Sequence, residues 1–109
     1  DNTGVEIYAT VFCLAESKLE KGLIWAGSDD GLVHVTRNGG AAWTNVTANL
    51  PGLPQWATIR IIEPSAFAAG TAYLVADNHR LDDTKPYLYK TTDYGRTWTR
   101  LDAQLPQDT

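Results

Sequence analysis

Apolar and β-branched residues in this chain come in short runs, each closed by Gly, Pro, Asp or Asn. The runs at 7–15, 23–27, 32–36 and 42–46 predict four strands, A to D. Those at 58–62, 72–76, 87–91 and 97–101 predict a second set of four. Turn residues such as Gly22, Gly52, Gly70 and Gly95 stand between the runs. Thr58-Ile59-Arg60-Ile61 alternates with period two, which predicts both isoleucines on one face. No segment sustains a helical period, so the pattern predicts an all-β chain.

The two sets are copies of one unit. Thr36-Arg37-Asn38-Gly39-Gly40-Ala41-Ala42-Trp43 and Thr91-Thr92-Asp93-Tyr94-Gly95-Arg96-Thr97-Trp98 share one pattern, at an offset of 91 − 36 = 55 residues. Earlier in each unit Ser17, Gly22 and Trp25 match Ser65, Gly70 and Tyr73, at an offset of 65 − 17 = 48. The second copy therefore carries 55 − 48 = 7 extra residues, which fall at 77–86 and predict a longer B–C loop. The units divide at residues 1–50 and 51–109. Four strands per unit with a period of about 50 residues predict propeller blades, which cannot cover both of their faces alone.

The shared motif falls on the C–D hairpin. Gly40 and Gly95 supply a backbone conformation that a side chain would penalise. Asp93 can accept hydrogen bonds from the turn's own N–H groups, and the Thr91 and Thr97 hydroxyls can close the same turn. Trp98 then covers the hairpin and enters the space between sheets. The first copy has Asn38 and Ala42 where the second has Asp93 and Thr97, so its turn is expected to be less well tied.

This motif resembles the Asp-box, or BNR repeat, of sialidase-like and sortilin-like β-propellers. Its second copy, 91–98, carries the full pattern through Thr91, Asp93, Gly95, Thr97 and Trp98. The first, 36–43, keeps Thr36, Gly40 and Trp43 with Asn38 in place of the aspartate. The neighbouring text around Trp25-Ala26-Gly27-Ser28-Asp29-Asp30-Gly31 and Lys85-Pro86-Tyr87-Leu88-Tyr89 is similar to large secreted bacterial BNR-repeat proteins, often labelled glycosyl hydrolase. The resemblance implies part of a propeller of seven or more blades, or a ring closed by several copies of the chain. It implies a secreted or periplasmic location, and an Asp-box that is structural and lies opposite the binding face.

On that binding face the D–A connection 49–56 and the longer B–C loop are expected to meet. They would present Trp56, His79, Arg80, Asp82, Asp83 and Lys85, a set suited to stacking on a sugar or gripping a peptide. Each has a plainer use: Trp56 against a neighbouring sheet, His79 and Arg80 paired with loop acids, Asp82-Asp83 as a solvated turn. The elements of an autonomous enzyme are missing, with no Gly-x-Ser-x-Gly elbow, phosphate loop or Cys-x-x-Cys. We expect no catalytic residues, cofactor or metal in this chain, and a ligand-binding or scaffolding role. A fragment of a BNR-repeat glycoside hydrolase, with its carboxylates mainly on other blades, is the alternative.

Bulk properties narrow the partners. A formal net charge of −4 with nine scattered basic residues argues against nucleic acid. No apolar run reaches the roughly 20 residues of a membrane-spanning helix. The expected partners are further blades or other copies of the chain, with a protein or glycan ligand. Cys13, in an apolar run, reads as a small buried hydrophobe. The absence of Met throughout predicts a processed or excised piece.

Overall fold

In the computed structural model, residues 11–28, 31–53, 57–78 and 83–101 are described. Among these residues eight strands run in chain order: β1 (Val11–Glu16), β2 (Ile24–Ser28), β3 (Val33–Thr36), β4 (Thr44–Asn45), β5 (Thr58–Pro64), β6 (Ala72–Asn78), β7 (Asp83–Thr91) and β8 (Thr99–Arg100). They form two four-stranded antiparallel sheets, β1-β2-β3-β4 and β5-β6-β7-β8, each a simple meander. Among the described residues, helix is limited to a 3₁₀ turn at Thr47–Asn49. The protein is all-β, as its hydrophobic pattern predicts.

The duplication extends to details that the pattern does not show. The β1/β2 pairing shifts between Val11 and Cys13, and the β5/β6 pairing shifts between Ile59 and Ile61. Each shift is a bulge at an equivalent position, Phe12 and Arg60. The second bulge overturns the expected facing of the isoleucines. The extra residue at Arg60 reverses the alternation, so Ile59 is fully buried while Ile61 is 52% exposed. The long loop expected at 77–86 is also shortened, since Asn78 pairs with Asp83 and the extra residues prolong the β6/β7 hairpin.

The sheets pack face to face through unlike sides. From the first sheet come Trp25, Val33 and Val35; from the second come Ile59, Leu74 and Tyr89, all buried in one core. Trp98 stands edge-on to Trp25 at 5.8 Å and to Tyr89 at 6.5 Å between ring centroids. Such edge-to-face pairs add about 0.5–1.5 kcal/mol beyond the area they bury. The chain after β4 also docks on the second sheet. Leu50 is buried, the Asn49 side-chain amide donates to the Gly95 carbonyl at 3.0 Å, and the Tyr89 hydroxyl donates to the Pro51 carbonyl at 2.7 Å.

Gly27 fixes how closely the sheets approach. A Cβ at this position would lie 2.4 Å from Ile59 Cγ2 and 2.9 Å from Ile59 Cβ. Nothing larger than hydrogen fits there without moving a sheet. We therefore expect Gly27→Ala to destabilise the fold by about 1–3 kcal/mol. Trimming its neighbour with Ile59→Ala should make the double variant less unstable than the two single costs added together. Urea unfolding of the four chains in this cycle checks the coupling; strict additivity would contradict the close contact.

Candidate functional site

The repeated hairpins are tied by the same atoms. In the second, the Thr91 hydroxyl donates to Asp93 Oδ1 at 2.8 Å and accepts from the Gly95 N–H at 2.9 Å. Asp93 Oδ1 also accepts from the Thr97 N–H at 2.9 Å, and Oδ2 accepts from the Thr97 hydroxyl at 2.6 Å. The first hairpin keeps the Thr36–Asn38, Gly40–Thr36 and Ala42–Asn38 bonds at 2.8, 3.1 and 3.0 Å. It lacks the hydroxyl bond because Ala42 stands where Thr97 does. The indoles differ too: Trp98 Nε1 donates to the Gly95 carbonyl, whereas Trp43 Nε1 is buried without a partner. Fewer bonds thus hold the first turn, in line with its departures from the full motif.

Hydrogen bonds from Thr97, first through its hydroxyl and then through its N–H, hold the Asp93 carboxyl below its usual range. Both Asp93 carboxylate oxygens accept from Thr91 and Thr97 of the same turn, the arrangement of a structural clasp.

A second polar group joins the sheets. The Arg37 guanidinium meets Glu20 Oε2 at 2.9 Å and lies over the Tyr94 ring, 3.7 Å from its centroid. The Tyr94 hydroxyl donates to Glu20 Oε1 at 2.8 Å. The Arg37 bond, then the Tyr94 bond, lowers the Glu20 pKa, and the bond to Glu20 raises that of Tyr94. Tyr94 reaches this place from φ 63°, the one described non-glycine residue in the left-handed region. Its first-copy counterpart is Gly39, at φ 74°. A tyrosine at the glycine position of a repeated turn is the sequence signal for this clamp. Its partners, distant along the chain, carry no such signal.

The described residues also line a cleft of about 470 Å³ where the ends of β1 and β5 meet. Ile62 and Pro64 form part of its wall, with Glu16, Glu63 and Lys18 as charged groups and Phe67 and Tyr73 as aromatic ones. Phe67 is 94% exposed at the tip of the β5–β6 turn. Ser65 builds that turn, its hydroxyl accepting from the Phe67 and Ala68 N–H groups at 2.9 and 3.2 Å. Ser17 does the same for Leu19 and Glu20 in the first copy, and Leu19 is also exposed. Both β1–β2 and β5–β6 turns therefore hold out a large apolar side chain at matching positions, 67 − 48 = 19.

Most of the sequence-predicted ligand set is not among the described residues. Trp56, His79, Arg80 and Asp82 lie outside the described residues. Asp83 and Lys85 are placed by backbone alone, both in β7. The cleft sits at the β1–β2 turn end of the meander, opposite the end at which β6 turns into β7. Cys13 is half-buried against the core, and burial raises its pKa. His34 is half-buried on β3, and no group of three or more His, Cys, Asp or Glu among the described residues is placed to hold a metal.

No protein-family model matches the sequence, and no curated protein matches it.

The Asp93 turn gives a pH prediction. Its folded pKa is depressed, so its contribution is complete above the ordinary aspartate value of about 3.9 and fades as pH falls through the lower folded value. Asp93→Asn should replace the charge-assisted bond from the Thr97 hydroxyl with a weaker neutral one, at a cost of about 1 kcal/mol at neutral pH. The same change should flatten the acid limb of the stability curve. Thermal melts of both chains between neutral and strongly acid pH check this; parallel curves would contradict the assignment.

Proposed function

We propose that the two sheets are neighbouring blades of a larger extracellular or periplasmic β-propeller of the Asp-box type, with a binding or scaffolding role and no chemistry of its own. The observation that carries this reading is the packing of two hairpin-tied sheets through unlike faces, with large apolar side chains (Leu14 on the first sheet, Ile61 and Tyr73 on the second) left exposed on the sides turned away from that contact. The two turns support it with matching atoms, and their one acidic side chain bonds within its own turn.

The ligand in this reading is a protein or glycan. It is taken at the end formed by the 49–56 connection and the β6/β7 hairpin, with Trp56, His79, Arg80, Asp82, Asp83 and Lys85 as its contacts. A glycoside hydrolase fragment is the second reading. It is favoured by Glu16 and Glu63 lining one cleft beside Phe67 and Tyr73, since acids next to aromatic platforms suit a sugar chain.

Panels of neutral and acidic oligosaccharides and of peptides, titrated against the chain by calorimetry, separate these readings. Trp56→Ala or Arg80→Ala should weaken binding about tenfold or more, the scale of one well-packed contact. Phe67→Ala should leave binding unchanged. The opposite pattern moves the site to the cleft, and turnover of an oligosaccharide that is lost in Glu16→Gln or Glu63→Gln establishes the hydrolase reading instead.

A further inference from the structure

Four turns meet at one end of the molecule. In each sheet the first turn abuts the second hairpin: the Gly39 N–H donates to the Gly22 carbonyl at 2.9 Å, and the Tyr94 N–H to the Gly70 carbonyl at 3.0 Å. Glu20 then bridges the sheets through Arg37 and Tyr94. Turns 17–23, 37–43, 65–71 and 92–98 therefore form one continuous end. Two large apolar side chains stand exposed on it, Leu19 and Phe67, and neither belongs to the core. Lys18 of the first turn lines the same cleft as Phe67 of the second, so the two tips are neighbours.

Charge is unevenly placed as well. The four turns hold Lys18, Lys21, Arg37 and Arg96 against Glu20 and Asp93, a net charge of 4 − 2 = +2 in a chain of −4. Both of these acids are engaged, Glu20 by Arg37 and Tyr94, and Asp93 by its own turn. Lys18, Lys21 and Arg96 are exposed and make no ion pair among the described residues. Glu16 and Glu63 stand behind the tips, near the ends of β1 and β5. The outermost layer is thus cationic and the layer beneath it acidic.

We infer that this end docks on an anionic lipid surface. Phe67 and Leu19 enter the headgroup boundary, and Lys18, Lys21 and Arg96 meet lipid phosphates. An acidic protein would satisfy the cations equally well, but the apolar tips favour lipid. Phe67 rises from a turn built only of Ser, Ala, Gly and Thr. A protein partner would need a pocket shaped to that ring and a contact of about 800 Å² around it. A lipid boundary accepts a projecting apolar group without any match of shape. The tips also arrive ordered. The Ser17 and Ser65 N–H groups donate to the Leu23 and Thr71 carbonyls, each at 2.9 Å, and the two serine hydroxyls close the turns from inside. Docking therefore freezes little further motion. The inference goes beyond the blade reading and does not depend on it, since the whole surface lies within one copy and at the end away from the β6/β7 turn.

Cosedimentation of the full chain with phosphatidylglycerol–phosphatidylcholine vesicles tests this, with pure phosphatidylcholine vesicles alongside. The chain should bind the mixed vesicles, and binding should fall as salt rises. Phe67→Ala should weaken partition about tenfold or more, the scale of one buried aromatic ring, and Phe67→Trp should retain it. Lys18→Glu with Lys21→Glu should abolish it. All three positions are exposed, and unchanged thermal melts verify that the variants fold. Failure to bind the mixed vesicles, equal binding to pure phosphatidylcholine, or a folded Phe67→Ala chain that binds like the parent each overturns the inference. Retention on immobilised poly-glutamate that matches vesicle binding and ignores Phe67→Ala also overturns it, and assigns the end to an acidic macromolecule.

Discussion

The descent of Ile59 onto Gly27 is the contact around which the rest of the molecule is arranged. A flat glycine surface on β2 lets the second sheet come close enough for Trp98 to reach Trp25 and for the connection after β4 to lie against Tyr89. Both indoles need this approach, because neither sheet alone is deep enough to cover a ring of that size. Buried apolar area supplies the driving force, and backbone geometry at one residue decides where it can act. Trp25 carries a cost in the same place, since its buried Nε1 has no partner. That residue contributes through shape and surface, with its polar atom working against it.

The paired turns show how a small sheet can be finished cheaply. Two side chains, a threonine and an Asp or Asn, satisfy most of the N–H groups that a tight reversal leaves open. Comparing the two copies within one molecule separates the essential part from the refinement. The threonine hydroxyl and one side-chain oxygen are common to both, whereas the second oxygen and its hydroxyl partner belong to the second turn alone. Tyr94 adds a further use of that turn. It accepts a left-handed backbone, which a side chain disfavours, in order to place its ring between Arg37 and Gly70.

Much of this fold is legible in the sequence, because strands with one buried side announce themselves by alternation and turns by glycine. The eight strands and the two hairpins follow from those local signals. What stays hidden depends on geometry rather than composition. A bulge at Arg60 adds one residue without changing the residue types, so Ile61 reads as a partner of Ile59 although it points the other way. The polar stretch after Ala76 reads as loop because Asp, Asn and Lys are poor strand formers, yet pairing of Asn78 with Asp83 carries the hairpin on. Glu20 and Tyr94 meet only because the sheets stack, and no period in the sequence encodes a contact across so many residues. The cleft is the least legible part, because Phe67 stands beside it at a turn tip that reads as ordinary punctuation.

The carbonyl of Gly95 receives two donors from different places, the indole of Trp98 in its own turn and the amide of Asn49 from the segment that follows the first sheet. A single oxygen thus records whether both halves are in position. The shared carbonyl ties the segment after the first sheet to the hairpin of the second.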